Sequence, residues 1–155
     1  MNLDRTIYIS ASFPRRDEAR ALRQAIHNSN KLGWRCTSRW LEDDTSIYGT
    51  DEVANAETYR ERARRDVEDV LAADVFVQFT GDNLSRGGRH GELGMAIMKK
   101  RMKPGDQDFK DFLKGKSFKP PTEIYIIGPK EGVFHHLPYV EQCLDVDDFL
   151  KRIGA

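Results

Sequence analysis

The stretch DVFVQFT, residues 74–80, decides the fold, because it is the most strand-like run of the chain and looks like a buried strand. Residues 51–73 before it follow a helical pattern with apolar side chains on one side. After it, the loop 81–88 leads into a second helical pattern that ends near Lys100. A strand set between two helices indicates a parallel sheet.

The remaining apolar runs extend this alternation toward both ends of the chain. Strands separated by helices predict an α/β fold, a doubly wound parallel sheet of about five strands with helices on both faces. At 155 residues the chain is expected to form a single domain, 1–155. The other predicted strands are TIYIS at 6–10, WRCTSRWL at 34–41, EIYIIG at 123–128 and YVEQCLDV at 139–146, and the other predicted helices cover residues 17–33 and 145–155.

The charges of the chain balance, with 25 basic and 25 acidic residues. A net charge of zero gives no overall attraction to a nucleic acid polymer or an anionic membrane, so an anion site has to be local. No apolar run approaches the roughly 20 residues of a membrane span, and the N-terminus lacks the features of a signal peptide. Cys36 and Cys143 have no metal spacing and are interpreted as buried free thiols, which favours a cytoplasmic protein.

The basic stretch at about residues 101–121 does not fit a minimal unit of this fold. A helix-to-strand connection usually has about 2 to 6 residues. A surface excursion with one short helix is the simpler interpretation, and a lid or a subunit contact is the alternative. If the protein is an oligomer, Phe109, Phe112 and Trp40 are candidate contact residues.

Three polar segments are predicted to meet at one edge of the sheet. Right-handed crossovers place the C-terminal ends of parallel strands on the same edge, where open sheets bind ligands. The segments are SASFPRR after the first strand, TSRWLEDD at the end of the second and TGDNLSRGGRHGE after the third. This edge is therefore the predicted binding site, with Trp40 of the second segment among the substrate-binding candidates.

Glu92 lies among four glycines in GGRHGELG, residues 87–94. If residues 87–91 form a turn, Glu92 falls in the first turn of the next helix, where the dipole and free N–H groups stabilise a carboxylate. Gly91 and Gly94 would let a ligand approach closely. Such a carboxylate suits nucleophilic attack on a sugar carbon or stabilisation of an oxocarbenium ion. A helix-capping role is the alternative.

Asp66 borders the buried side of the helix that precedes the central strand, whereas Asp69 is predicted on the polar side with Arg62 and Arg65. Taken alone, the spacing favours an exposed ion pair between Asp66 and Arg62, which would contribute little to stability.

The first loop, SASFPRRDE, places Arg15 and Arg16 at a helix start, where cations oppose the helix dipole. A bound anion would explain them, with Ser10 and Ser12 as hydrogen-bond donors. Neutralisation by the two acidic residues that follow explains them equally well.

Adjacent histidines occur in FHHLP, residues 134–138. Neighbouring residues rarely point at one ion, and no partner with ligand spacing lies nearby. No metal site is predicted here, and a structural or substrate-edge role is favoured.

Five motifs, in this order, resemble the nucleoside 2-deoxyribosyltransferase family, especially its short phage and bacterial members, and the related 2′-deoxynucleoside 5′-phosphate N-hydrolases. The motifs are IYISASFPRRDE, CTSRWL, DVEDVLAADVFVQFT, GGRHGELGMA and IIGPKEGVFHHLP. They cover most of the chain outside the basic excursion. The resemblance implies a flavodoxin-like fold, a homo-oligomer with sites near subunit contacts, and no metal or organic cofactor.

The resemblance also implies roles for individual residues. Glu92 matches the glutamate that attacks C1′ of the sugar, and Asp66 matches an aspartate that holds the sugar or helps protonate the leaving base. Ser10, Ser12 and Arg16 would lie near the base and the 5′ end of a small-molecule nucleoside or nucleotide. Attack by a second base would then give transfer, and attack by water would give hydrolysis.

The residues before the glutamate depart from the transferase pattern. Many transferases carry an aspartate there, whereas this chain has Ser85, Arg86 and Arg89. Ser85 and the N–H groups around Gly88 could hold a 5′-phosphate, as small polar residues do in the N-hydrolases. Arg16 and Arg89 also suit a phosphate. This mildly favours N-hydrolysis of monophosphates.

Three alternatives stay open. One is a base-exchanging transferase that acts on free nucleosides. The second is a non-catalytic nucleotide-binding module, against which the pair Glu92 and Asp66 argues. The third is a signalling-type domain that cleaves a larger nucleotide such as NAD, which the order of the motifs fits less well. Nucleotide salvage or pool sanitation is the pathway that the family suggests.

Overall fold

The structure, a computed structural model, describes residues 5–29, 33–46, 51, 53–82, 88–101 and 123–155. Five parallel strands form one sheet in the order β2-β1-β3-β4-β5. The strands are β1 (Thr6–Ser10), β2 (Arg35–Cys36), β3 (Val75–Phe79), β4 (Glu123–Ile127) and β5 (Val140–Cys143). The helices are α1 (Arg16–Ser29), α2 (Ala56–Ala72), α3 (Gly88–Arg101) and α4 (Val146–Ile153), with short 3-10 helices at Phe13–Arg15, Arg39–Glu42 and Val133–His136.

Helices cover both faces of the sheet, which confirms the predicted doubly wound α/β fold. The chain runs outward from β1 to β2 and then crosses back to β3, so right-handed crossovers put α1 opposite α2 and α3. Tyr8 points toward α3, where it contacts Glu92. Phe76 of β3 pairs with both Tyr8 and Ile124, so the side chains of these three residues lie on the same face of the sheet. The next residue, Tyr125, therefore points to the other face, where it packs against Phe149 of α4 at 5.3 Å.

The core lies on both sides of the three central strands. β1 and β3 are buried along their whole length, and β4 is buried beyond its first residue. α1 buries Ala19, Leu22 and Ile26, which are spaced by three and four residues and so form one helix face. Both cysteines are free, and burial raises their pKa, that of Cys143 to about 11, so the thiols stay protonated at neutral pH.

The second predicted strand, residues 34–41, was wrong in its length. β2 ends at Cys36, and residues 39–42 form a 3-10 helix. Side chains replace the missing backbone ladder: Ser38 Oγ accepts a hydrogen bond from the Ile9 N–H at 2.6 Å, and Trp40 Nε1 donates to the Ile9 carbonyl at 2.8 Å. The apolar alternation that suggested a strand arises because the 3-10 helix buries Trp40 and Leu41.

Two helix boundaries also differ from the prediction. α2 begins at Ala56 rather than near residue 51, and α3 begins at Gly88. Gly88 to Gly91 are therefore helical, and Glu92 is in the second turn of α3 rather than the first. Apart from Arg101, the basic excursion with Phe109 and Phe112 lies outside the described residues, and the single-domain expectation stays a prediction. In the described part of the chain, no helix is long and apolar enough to cross a membrane.

Gly128, directly after β4, provides a test of the turn that closes this edge of the sheet. Its φ is 120°, and a Cβ there would lie 2.6 Å from Thr80 Oγ1 and 2.8 Å from the Thr80 carbonyl oxygen. We expect Gly128→Ala to lower the free energy of unfolding by about 1 to 3 kcal/mol, through backbone strain and steric overlap. Urea denaturation measures the loss.

Gly132→Ala is the matched control, because the backbone of Gly132 is extended and a Cβ there would meet no atom within 4 Å. Equal losses in both variants would contradict a special requirement for glycine at position 128.

Candidate active site

A cavity of about 300 Å³ lies between α2 and α3, next to the C-terminal end of β1. It is at the lower end of the usual size range of small-molecule sites, about 300 to 1,000 Å³. Its lining combines aromatic and charged side chains. The aromatic residues are Phe13, Trp40 and Tyr59, and the charged residues are Asp43, Arg62, Asp66 and Glu92.

The carboxyl group of Glu92 is held through both of its oxygens. Tyr8 donates a hydrogen bond to Oε1 at 2.9 Å, and Ser10 donates to Oε2 at 2.5 Å. Both donors belong to β1, two residues apart and therefore on the same face of the sheet. Burial raises the pKa of Glu92 to about 7, against the opposing effect of these two hydrogen bonds, and Asp66 adds to the rise.

Asp66 contributes a second carboxyl group to the cavity, from α2. Its Oδ1 is buried and accepts no hydrogen bond from the described residues, and the nearest cation is Arg65, with Nε at 3.7 Å. Burial raises the pKa of Asp66 to about 6, although Arg65 opposes the rise. Two carboxyl groups with raised pKa values that share one cavity are typical of acid–base or nucleophilic chemistry.

Asp69 is buried, so its predicted place on the polar side of α2 was wrong. Its carboxylate accepts hydrogen bonds from the backbone N–H of Arg39 at 2.9 Å and from Arg39 Nε at 2.7 Å. The sequence pattern missed this role because the partner comes from a segment 30 residues away. Asp69 thereby ties the 3-10 helix that carries Trp40 to α2.

Asp43 makes a second tie between the same two segments. Arg65 donates to both carboxylate oxygens, at 2.8 and 2.6 Å, and Arg62 Nε lies 3.6 Å away. Burial acts to raise the pKa of Asp43, but the bonds from Arg65, with the nearby charges of Arg62 and Arg16, bring it below its usual value. Asp43 is therefore ionised at neutral pH and braces the cavity wall.

Four of the residues predicted for the site line the cavity: Glu92, Asp66, Trp40 and Gly88. A fifth, Ser10, is fully buried and reaches the site through Glu92. Their predicted roles toward a substrate stay predictions. Ser85 lies outside the described residues.

Three other predicted residues do not line the cavity, because the fold uses their side chains elsewhere. Ser12 donates to Asp82, and Arg16 donates to the backbone carbonyl of Asp43. Arg89 is buried, donates to the Phe79 carbonyl at 2.6 Å and pairs with Asp82 at 2.8 Å.

The anion expected beside Arg15 is not needed to explain that residue. Arg15 forms two hydrogen bonds with Glu18, at 2.9 and 2.8 Å, and a third with the Thr80 carbonyl at 2.7 Å. Of the two interpretations of the arginine pair, neutralisation by a following acidic residue is the one observed for Arg15.

Two residues without a predicted role are linked to the site: Tyr8 contacts Glu92 directly, and Gln78 contacts Ser10, the other donor to Glu92. Each is a polar side chain within a strand that is otherwise apolar and fully buried. A buried polar group requires a hydrogen-bond partner, so its presence in such a strand is the signal that could have identified it. Within the described ranges, no group of three or more His, Cys, Asp or Glu side chains could hold a metal ion.

Comparisons with known proteins give one structural similarity. No family model matches the sequence, and no curated protein matches it. The chain is similar to the solved structure of a CMP N-glycosidase, BcmB, from Clostridium botulinum, with a TM-score of 0.53 and 13% sequence identity. The match covers 97% of this chain and 98% of that one. At this identity, the similarity shows a shared fold.

The raised pKa of Glu92 predicts a stability that depends on pH. The folded-state pKa of about 7 exceeds the roughly 4.3 of an unfolded chain. Between these values the folded state binds more protons, so the ionised carboxylate lowers stability progressively as the pH rises from about 4 to 7. We expect Glu92→Gln to raise the free energy of unfolding by about 1 to 3 kcal/mol at pH 8, and to bring no gain at pH 4.5.

Chemical denaturation at the two pH values measures this difference. Glu57→Gln is the control, because the Glu57 side chain is 82% exposed and should show no such dependence. A Glu92→Gln effect that is the same at both pH values would contradict the assignment of a raised pKa.

Proposed function

We propose that the protein cleaves the N-glycosidic bond of nucleosides or their 5′-monophosphates, with Glu92 as the nucleophile. The observation that carries this proposal is the arrangement of Glu92, held by Tyr8 and Ser10 through both oxygens, in a cavity that Asp66 also lines. Most glycosidases use a pair of carboxyl groups to cleave the glycosidic bond. The fold shared with a CMP N-glycosidase adds support.

In the proposed reaction, a Glu92 oxygen attacks C1′ as the bond from C1′ to the base nitrogen breaks. The base leaves with the bonding electrons and takes up a proton. Asp66 is the proposed donor, since its raised pKa of about 6 keeps part of its population protonated near neutral pH. Water then attacks C1′ of the glycosyl ester, gives up a proton to Asp66 and releases the free sugar and the Glu92 carboxylate.

The shape of the cavity suits a nucleobase on a sugar. The rings of Phe13, Trp40 and Tyr59 line the cavity and offer apolar faces to a planar base. Gly91 also lines it, and a Cβ there would meet nothing within 4 Å, so the helix backbone is open to the ligand beside Glu92. A sugar can thus come close to the carboxylate without a clash with α3.

We further propose that monophosphates are preferred and that water is the acceptor. The support is the substrate named for the structural neighbour and the position of Gly88, whose backbone begins α3 at the cavity and suits an anion. Arg16 and Arg89, which suggested this preference in the sequence, are occupied by backbone carbonyls. These two arginines therefore support a phosphate site less than their charges suggested.

Chromatographic detection of free base, from a panel of nucleosides, deoxynucleosides and their 5′-monophosphates, tests the function. The assay is run with and without a second base. We expect base release from monophosphates and no exchange. Base exchange on free nucleosides would show that the protein is a transferase rather than a hydrolase. Inactivity on the whole panel and on NAD would favour a non-catalytic nucleotide-binding module.

Substitutions at the two carboxyl groups test the mechanism. We expect Glu92→Gln and Glu92→Ala to reduce kcat by at least about 1,000-fold, because no nucleophile remains. Asp66→Asn should reduce kcat by about 10 to 1,000-fold, as the loss of a proton donor does. Glu57→Gln, on the exposed surface of α2, is the control. Substantial turnover by Glu92→Ala would remove Glu92 as the nucleophile.

A further inference from the structure

A chain of hydrogen bonds leads from the backbone near β4 to Glu92. It starts at His135, which is 1% exposed and belongs to the 3-10 helix Val133–His136. His135 Nε2 lies 3.1 Å from Gln78 Oε1, and Gln78 Nε2 lies 3.3 Å from Ser10 Oγ. Ser10 then contacts Glu92. Neither His135 nor Gln78 lines the cavity.

Two backbone groups fix the tautomer of His135 and the orientation of the Gln78 amide. The N–H of Glu131 donates to His135 Nδ1 at 3.0 Å, so Nδ1 carries no proton and the neutral ring carries its proton on Nε2. At the other end, Gln78 Nε2 donates to the Arg89 carbonyl at 2.8 Å, and a carbonyl can only accept. The amide nitrogen of Gln78 therefore faces Ser10, and its oxygen faces the ring.

Ser10 then has a donor on one side and Glu92 on the other. Its oxygen accepts the second N–H of Gln78 through one lone pair, and its hydroxyl proton points to the ionised Glu92 carboxylate at Oε2, which can only accept. The strand register makes this possible, because Ser10 and Gln78 are paired across β1 and β3 and share one face of the sheet. In contrast, the hydroxyl of Tyr8 contacts only Glu92 among the described residues, and it can turn to donate or to accept.

We propose that His135 and Gln78 are positioning residues that bias Ser10 toward donating to Glu92 and so favour the ionised, nucleophilic form of that carboxylate. Without the amide, Ser10 could turn more freely and accept a hydrogen bond from the neutral carboxyl group, which would stabilise the inactive form. The catalytic part of this statement rests on the proposed function. The hydrogen-bond chain itself does not.

Other charges near the two ends act in addition to the chain. Glu92 is faced by Asp66 from α2, which raises its pKa, and by Arg89 of its own helix, which lowers it. Burial lowers the pKa of His135, while Glu131 opposes this effect. Three basic side chains nearby, His90, Arg89 and His136, also lower it. A neutral His135 at physiological pH fits its place in the chain.

The first test uses the wild-type protein and no substrate. Nitrogen NMR of the histidine rings identifies which nitrogen carries the proton, and His135→Phe assigns the signal. We expect His135 to be neutral at pH 7, with its proton on Nε2, because the fold lowers its pKa and the Glu131 N–H occupies Nδ1. A ring protonated on Nδ1, or charged at pH 7, would overturn the proposal.

The second test compares the pKa of Glu92, read from its carboxyl carbon by NMR, in four proteins: wild type, Ser10→Ala, Gln78→Met and the double variant. We expect Gln78→Met to raise this pKa by about half a unit to one unit, in the same direction as Ser10→Ala. The double variant should match Ser10→Ala alone, because Gln78 acts through Ser10. An unchanged pKa in Gln78→Met, or additive shifts in the double variant, would overturn the proposal.

Kinetics then test the catalytic part. The acidic limb of the pH–rate profile of Gln78→Met should shift upward with the Glu92 pKa, and kcat at pH 7 should fall about 2- to 5-fold with KM within about 2-fold. Gln142→Met and His136→Phe are matched controls, since both side chains are exposed. A profile of Gln78→Met that coincides with the wild type would reject the role in catalysis. If Gln78→Met does not fold, the tautomer of His135 in the wild-type protein decides whether the proposal stands.

The two proposals can fail separately. Absence of base release from any substrate, with the expected pKa changes present, would reject the proposed function and keep the hydrogen-bond chain. Base release with an unchanged Glu92 pKa in Gln78→Met would keep the proposed function and reject the role of the hydrogen-bond chain.

Discussion

The burial of one carboxyl group between α3 and the sheet is the constraint on which the site depends. A buried carboxylate loses its water and has to receive hydrogen bonds from protein donors. β1 supplies them from two residues on the same face, Tyr8 and Ser10, and α3 brings Glu92 over that face. Both donors are in β1, which is buried along its whole length, so packing in the core fixes their positions.

The burial of Glu92 also affects the stability of the protein. Desolvation raises the pKa of Glu92 toward neutrality and makes the ionised carboxylate a source of instability at higher pH. Under the proposed function, the same loss of water makes this carboxylate a stronger nucleophile. Asp66 shares the cavity, and burial raises its pKa for the same reason. A chain selected for stability alone would place apolar side chains at both positions.

The sequence predicted those features that follow from local pattern. β1, β3 and β4 are apolar runs bounded by polar residues, and their order alone indicated a doubly wound sheet. Glu92 became a candidate because of its glycine-rich setting, whereas the spacing of Asp66 alone favoured an exposed ion pair and the family resemblance made it a candidate. β2 was overestimated, since the side chains of Ser38 and Trp40 satisfy the Ile9 backbone in place of a ladder.

Long-range pairings could not be predicted from local pattern. Arg89 looked like a phosphate ligand, yet it is buried and bonded to the Phe79 carbonyl at the end of β3. Asp69 looked exposed, yet its partner Arg39 comes from a distant segment. A charge in the sequence does not reveal whether its partner is a ligand or the protein's own backbone, because that depends on which segments the fold brings together.

The two sides of the cavity are held in different ways. Glu92 and its donors Tyr8 and Ser10 belong to α3 and the sheet. On the opposite side, Asp69 and Arg65 of α2 bind the 3-10 helix Arg39–Glu42 and the residue that follows it, Asp43. Asp66 stands next to Arg65 on α2 and lines the same cavity, so a change in these ion pairs alters both the shape of the cavity and the surroundings of its second carboxyl group.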